Sequence, residues 1–322
     1  MKVFAISDLH MSVNNPKPMN IFGPSWDNYI DEIWADWDKK VSDGDIVIIG
    51  GDISWAMRLE DALADLAEIR KNKGRIILIR GNHDYWWASI GKVRAALPAD
   101  MWALQNDAVK FSCKSPADIK YKQESGGLVN ANYMLVNSCN CSKTQNEAIE
   151  CGKSAVKFND VIICGTRGWN LPESRGQKAE DKKILDREVM RLEMSLKQAK
   201  ILQEQADEKK NNVTNAVREQ INKQTDNEIN AAQSDKKTAI TETVQKSTKI
   251  ICVIHYPPFN SRREGSPFTD LIEKYGVSAV VYGHIHYPQP KERMQPVIEK
   301  NGIKYYLTSC DLVHNKLTEI AY

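Results

Sequence analysis

The most constraining feature of the chain is a short apolar run, Ile76-Ile77-Leu78-Ile79, that breaks off abruptly into Arg80-Gly81-Asn82-His83-Asp84. A β-branched run of this length reads as a buried strand. In an open α/β sheet, ligands gather at the carboxyl ends of the strands. A strand that runs out into an amide, an imidazole and a carboxylate therefore offers chemistry to a crevice. Asn and Asp are also good helix caps, so this stretch alone leaves both readings open.

Four further strand-like runs end the same way. Residues 3–6 lead into Asp8-Leu9-His10, residues 45–49 into Gly50-Gly51-Asp52, and residues 250–254 into His255. Residues 277–281 lead into Tyr282-Gly283-His284-Ile285-His286. Helical periodicity fills the intervals. Residues 25–41 carry Trp26, Tyr29, Ile30, Ile33, Trp34 and Trp37 behind Ser25 as a cap, and residues 58–71 carry Leu59, Ala62, Leu63, Leu66 and Ile69. Shorter helices are expected at 89–97 and 268–274. This alternation predicts right-handed βαβ units and a mainly parallel sheet. Residues 101–104, 109–113, 132–137 and 161–164 read as strands of a second sheet, with 303–308 and 317–320 as closing strands.

Residues 180–248 break from this pattern. Leu185, Val189, Leu192, Leu196 and Ala199 form a narrow coiled-coil-like stripe. Beyond Leu202 the stretch is nearly all polar, with neither Gly nor Pro. It predicts a long helical hairpin turning near residues 209–212, an arm that would project roughly 40 Å at the helical rise. The expected organisation is a catalytic domain formed by 1–195 and 249–322, interrupted by a polar helical hairpin at 196–248.

Composition removes several function classes. With 44 basic against 42 acidic residues and a net charge of +2, nothing favours a nucleic-acid surface. No stretch approaches the roughly 18 consecutive apolar residues of a membrane span. Seven cysteines at irregular spacing argue against a disulfide framework, and Cys139, Cys141 and Cys151 lack a regular zinc-site spacing. The chain reads as cytoplasmic.

Five of the six histidines lie at the strand ends, together with Asp8, Asp52 and Asn82. Carboxylate, amide and neutral imidazole together suit divalent transition metals of intermediate hardness. Seven candidate ligands, Asp8, His10, Asp52, Asn82, His255, His284 and His286, exceed what one ion uses alongside water. Two ions sharing a bridging carboxylate is the economical reading.

The motifs Asp8-Leu9-His10, Gly51-Asp52, Gly81-Asn82-His83-Asp84, His255 and Gly283-His284-Ile285-His286 resemble those of the calcineurin-like metallophosphoesterases. The resemblance spans roughly residues 1–195 and 249–322. Cys164-Gly165-Thr166-Arg167-Gly168-Trp169 further resembles a bacterial branch of predicted phosphohydrolases. The resemblance implies an α/β fold, a four-layer α/β/β/α sandwich carrying the long helical insertion. It implies one metal held by Asp8, His10, Asp52 and His286, and another by Asp52, Asn82, His255 and His284. The ions expected are two of Mn, Fe, Zn or Ni. The implied function is hydrolysis of a phosphomonoester or phosphodiester by attack of a metal-bridging hydroxide.

His83 follows a ligand without being one, so it is assigned as general acid, with Asp84 as its orienter and Arg80 as a phosphate contact. Arg167, Trp169, Trp86 and Tyr256 are candidate substrate-binding residues, and Arg262 and Arg263 are further anion candidates. The expected partner is a small-molecule or nucleotide phosphoester, with the arm as an oligomerisation or protein-binding element. The competing function is an assembly or docking protein that works through the arm on a weakly active core.

Overall fold

Alternate side chains of each central strand enter different cores, and this alternation builds the layers. In the computed structural model, which describes residues 1–112, 134–137, 160–172, 179–225, 247–286 and 295–322, β1 (Val3–Ile6), β2 (Ile46–Ile49), β3 (Arg75–Ile79) and β4 (Met101–Leu104) pair in parallel, with β12 (Thr318–Glu319) antiparallel on β1. Phe4, Ile6, Val47, Ile49, Ile76 and Leu78 face α1 (Tyr29–Lys40), α2 (Leu59–Arg70) and α3 (Ile90–Ala96), where they meet Ile33, Trp37, Leu66, Ile69 and Val93. The alternate residues Val3, Ala5, Ile46, Ile48, Ile77 and Ile79 face the second sheet.

That second sheet runs β10–β11–β9–β8–β7–β5–β6. Its strands are β5 (Ala108–Ser112), β6 (Met134–Asn137), β7 (Val161–Thr166), β8 (Lys249–Ile254), β9 (Ala279–Tyr282), β10 (Val297–Lys300) and β11 (Ile303–Leu307). Val109, Phe111, Val161, Ile163, Ile251, Val253 and Val281 complete the inter-sheet core. Their alternates Ile162, Cys164, Ile250, Cys252, Ile254 and Val280 pack under α4 (Ala179–Thr225) and α5 (Pro267–Lys274). The result is the expected four-layer α/β/β/α sandwich.

Three local expectations are corrected. Residues 101–104 form the edge of the first sheet rather than part of the second, because β4 pairs in parallel with β3. Ser25 caps no α-helix: it lies in a 3-10 turn, Pro24–Trp26, and α1 begins after Asn28, which adopts a left-handed backbone. The hairpin turn expected near 209–212 is absent, since α4 is one unbroken helix of 47 residues. No Gly or Pro interrupts it. Leu192, Leu196, Ala199 and Leu202 are buried in the second core. Farther along, Gln203, Asp207 and Lys210 bond to Thr248, tying α4 to the start of β8. The expected return limb of the arm, and Cys139, Cys141 and Cys151, lie outside the described residues.

Candidate metal centre

The parallel strands of both sheets deliver their carboxyl ends to one edge, and the loops leaving them are knitted together there. Ser7 N–H donates to the Thr308 carbonyl (2.8 Å) and Cys310 N–H to the Ser7 carbonyl (3.1 Å), which joins β1 to the exit of β11. His10 N–H donates to the Asp52 carbonyl (3.0 Å), which joins the β1 and β2 exits. Four residues in these turns, Asp8, His10, Asp52 and His284, hold positive φ between 47° and 69°. Non-glycine residues enter that region at a cost and concentrate at functional sites. The glycines allow close approach: a Cβ on Gly81 would fall on the Asp52 carboxylate, and one on Gly283 on the Ser7 hydroxyl and the Asp8 carboxylate.

The side chains converge in two groups, Asp8/His10/His286 and Asp52/His255/His284, with the ligand atoms of each group within 4.8 Å of one another. Asn82 completes the second group, its Oδ1 lying 2.7 Å from His255 Nε2 and 2.8 Å from His284 Nδ1. Asp52 Oδ2 lies between the groups, 3.9 Å from His10 Nε2 and 3.4 Å from His255 Nε2. The sequence-expected ligands are thus all brought together. His255 Nδ1 is held by the Gly50 carbonyl (2.9 Å), which aims Nε2 into the site.

These residues fit cations. His10 Nδ1 is buried without a hydrogen-bond partner and His286 Nε2 meets only Asp8 Oδ1 at 3.3 Å, and among the described residues neither group forms an ion pair with a Lys or Arg. The protonation pattern agrees. Burial pushes the His10 imidazole down to about 4, over the opposing pull of Asp8 and Asp52. Burial, aided by the charge of His255, does the same to His284. For His255, burial is outweighed by Asp52, and its pKa rises to about 9. For His286, burial is outweighed by Asp8 and Asp311, and its pKa rises to about 10. Burial works against the charge of Asp8 as well, but the facing imidazoles, His286 first, hold its carboxyl far below the usual range. In each group the environment favours the charged form of one imidazole and the neutral form of the other.

His83 lies beside the centre. Its backbone N–H donates to Asp52 Oδ1 (2.7 Å), and its ring sits 4.8 Å from the Trp55 ring and 5.6 Å from the His10 ring. Asp84 does not orient it. The Asp84 carboxylate accepts from the N–H groups of Gly81, Ile53 and Ser54 and from the Trp86 indole, and so clamps the β2 and β3 exits together. His83 is not among those donors, and its Nδ1 has no partner. Burial, then the charge of Asp52, raises the Asp84 carboxyl to about 6. Trp86 is also corrected as a substrate contact: it is 1% exposed, within the first core.

The Tyr256 ring lies 4.1 Å from the His284 ring, tilted by 42°, with Trp169 5.5 Å beyond it. Arg80 is half-buried, and burial followed by the charge of Arg167 lowers its pKa. Arg262 pairs with Glu264 on the surface, and Arg263 donates to Gln295. One carboxylate was not foreseen. Asp311, 4% exposed, lies 3.0 Å from His286 Nδ1, and its other oxygen is buried without a partner. Asp311 lies four residues beyond the end of β11, a strand exit like the others but without a histidine or a Gly-Asp pair to draw notice to it.

Among the described residues, no helix is long and apolar enough to cross a membrane. No protein of curated function matches the chain. A protein of unknown function from Aquifex aeolicus aligns with a TM-score of 0.38 at 10% identity, over 99% of this chain and 95% of that one. A protein of Thermus thermophilus aligns with a TM-score of 0.42 at 9% identity, over 99% and 97% of the two chains. Likenesses of this strength carry no functional argument. The model of the calcineurin-like phosphoesterases, by contrast, matches residues 1–185, more than half the chain, so this protein belongs to the calcineurin-like phosphoesterase family.

Proposed function

We propose that the protein hydrolyses a phosphomonoester or phosphodiester with two divalent cations. One would be held by Asp8, His10, Asp52 and His286, and the other by Asp52, Asn82, His255 and His284. The observation that carries this reading is the position of the Asp52 carboxylate between two groups of nitrogen and oxygen ligands. When bound, such a pair supplies Lewis acidity toward phosphoryl oxygens and brings the pKa of water toward neutrality.

The residues of the chain do the rest. Asn82, His255 and His284 fix one side of the phosphate site, and Asp8, His10 and His286 the other. His83, held by its backbone to Asp52, donates its proton to the leaving oxygen as the ester bond breaks. Trp55, against both His10 and His83, covers that flank and excludes water. Arg80, with no ion pair among the described residues, contacts a non-bridging phosphate oxygen. Tyr256 and Trp169 extend the wall beyond His284.

The test is a panel of phosphomonoesters, phosphodiesters and cyclic nucleotides assayed with Mn²⁺, Fe²⁺, Zn²⁺ and Ni²⁺ after chelation. Activity that disappears with the chelator and returns with a metal supports the reading. Inertness toward every substrate with every metal overturns it.

A further inference from the structure

Beyond the metal ligands, the same edge gathers three guanidinium groups with two carboxylates, Asp84 beside Arg80 and Glu188 beside Arg167 and Arg191. Arg80 leaves β3 in the first sheet, Arg167 leaves β7 in the second, and Arg191 projects from α4. The charges of Arg167 and Arg191 both act on Arg80. Glu188, 1% exposed, is the carboxylate that meets Arg167 and Arg191, and its oxygens are already engaged. Arg191 lies 2.6 Å from Oε1 and the Thr166 hydroxyl donates to Oε2 at 2.9 Å. Arg167 reaches Oε1 only at 3.5 Å, while its guanidinium lies 5.0 Å from the Trp169 ring centre. The Nε atoms of Arg80 and Arg167 are both buried without a partner.

Glu188 already joins Arg191 and Arg167, so one carboxylate serves two guanidinium groups, and the positive charge left over and the unfilled Nε donors favour a further anion. The location is also informative. Tyr256 donates its N–H to the Arg167 carbonyl (3.1 Å) and its ring lies 4.1 Å from that of His284, so the Arg167 backbone adjoins a residue that touches the second ligand group. A phosphate held by two cations and Arg80 is already well matched in charge, which leaves Arg167 and Arg191 to meet a different anion.

We infer that Arg167 and Arg191, set in place by Glu188 and Trp169, form a subsite for a second phosphate, so that the substrate is a phosphoester carrying a further phosphate group. The subsite takes the same chemistry from an organic diphosphate or from a bisphosphate. It adds no reaction step: the water oxygen bonds to the phosphorus at the metals, the ester or anhydride P–O bond breaks, and the proton passes to the departing oxygen. In a diphosphate that oxygen belongs to the phosphate held by Arg167. This inference rests on the phosphoesterase reading above.

The experiment compares a nucleoside monophosphate, a nucleoside diphosphate and a nucleoside bisphosphate as substrates of the Mn²⁺-loaded protein. It uses the wild type, Arg167→Met, Arg167→Lys and Arg191→Gln, the last altering a surface-lying side chain in case Arg167→Met fails to fold. Wild type should favour a two-phosphate substrate. Arg167→Met should lose roughly 10–100-fold in kcat/KM toward it, mainly through KM, as expected when bonds to a charged group are removed. The monophosphate should lose far less, and Arg167→Lys should recover part of the difference. Calorimetry should show inorganic pyrophosphate weakened more than inorganic phosphate in Arg167→Met. The better of the diphosphate and the bisphosphate reports the spacing of the two phosphates. Equal losses for one- and two-phosphate substrates would place both arginines on the reacting phosphate and overturn the subsite, as would a wild type without preference. Hydrolysis of none of the three, with pyrophosphate bound no better than phosphate, would refute the subsite. Inertness toward the wider panel as well would refute the phosphoesterase reading.

Discussion

Asp8, His10, Asp52 and His284 hold left-handed backbone, which for non-glycine residues costs on the order of 1–3 kcal/mol each. The hydrogen bonds between neighbouring strand exits hold them there, and the gain is convergence of side chains from two sheets. Where the chemistry requires a group that is not a ligand, His83 is the candidate. His83→Ala should keep its metal content and lose turnover by roughly 10²–10⁴-fold. Metal analysis and aryl-phosphate kinetics on the same sample check this, and unchanged kinetics would sink the general-acid role. Asp311 acts through His286. Asp311→Asn should weaken metal affinity by roughly 10–100-fold, seen in metal titration before any activity assay, while Asp311→Glu should restore part of it. At this scale the sequence was legible for the residues that converge in the two groups, because each follows an apolar run. It was silent on Asp311, since a carboxylate in a loop looks like any surface acid until its partner 25 positions earlier is placed beside it. It misled on Asp84, because adjacency to His83 suggested a pair, whereas the carboxylate turns to three backbone N–H groups and an indole.

At the scale of elements, strand exits are the devices that matter, and their glycines are spacers. Gly283→Ala would drive a Cβ into Ser7 and Asp8. The expected outcome is loss of metal binding with circular dichroism little changed; retained metal binding would mean that β9 shifts freely. The strands were legible as elements but not always as members of a sheet. An edge strand such as β4 carries the same alternation in either sheet, and only its pairing with β3 decides. Helix α4 shows the other limit. Polar residues at 209–212 suggested a turn, yet with no Gly or Pro nothing halts the helix, and Asp207 and Lys210 are needed against Thr248. We therefore place the arm beyond residue 210. Removing 212–246 should leave folding and hydrolysis intact. Removing 200–246 should destabilise the protein by at least about 2–5 kcal/mol, the usual cost of losing one large buried side chain such as Leu202. Chemical denaturation of the two deletions distinguishes them, and gel filtration of the shorter one reports whether the arm assembles the protein.

For the molecule as a whole, the centre sets how stability depends on pH. In the metal-free protein, His10 and His284 are held near 4, below the ordinary 6.5, so the unfolded chain binds more protons and stability rises with pH from about 4 to about 6.5. His255 and His286 are raised to about 9 and about 10, so their contribution is complete below 6.5 and is lost as pH climbs through those values. Thermal midpoints after chelation should therefore peak near pH 6.5. If cations occupy the two groups they displace the imidazolium protons, so metal loading should release protons and flatten the alkaline side. A chelated protein whose stability keeps rising from pH 7 to 9 would contradict the assignment.

The interlocking of Ser7 with Thr308 and Cys310, and of Asp8 with His284, has a consequence for biosynthesis. One ligand group draws on residues 8 and 10 together with residue 286, and the second also waits for residue 284. A ribosome must release the exit of β9 before either group can close. Any cation capture by these groups would then wait until β9 has emerged and the two sheets dock. A nascent chain stalled before residue 284 should neither retain a metal nor resist protease as the released protein does.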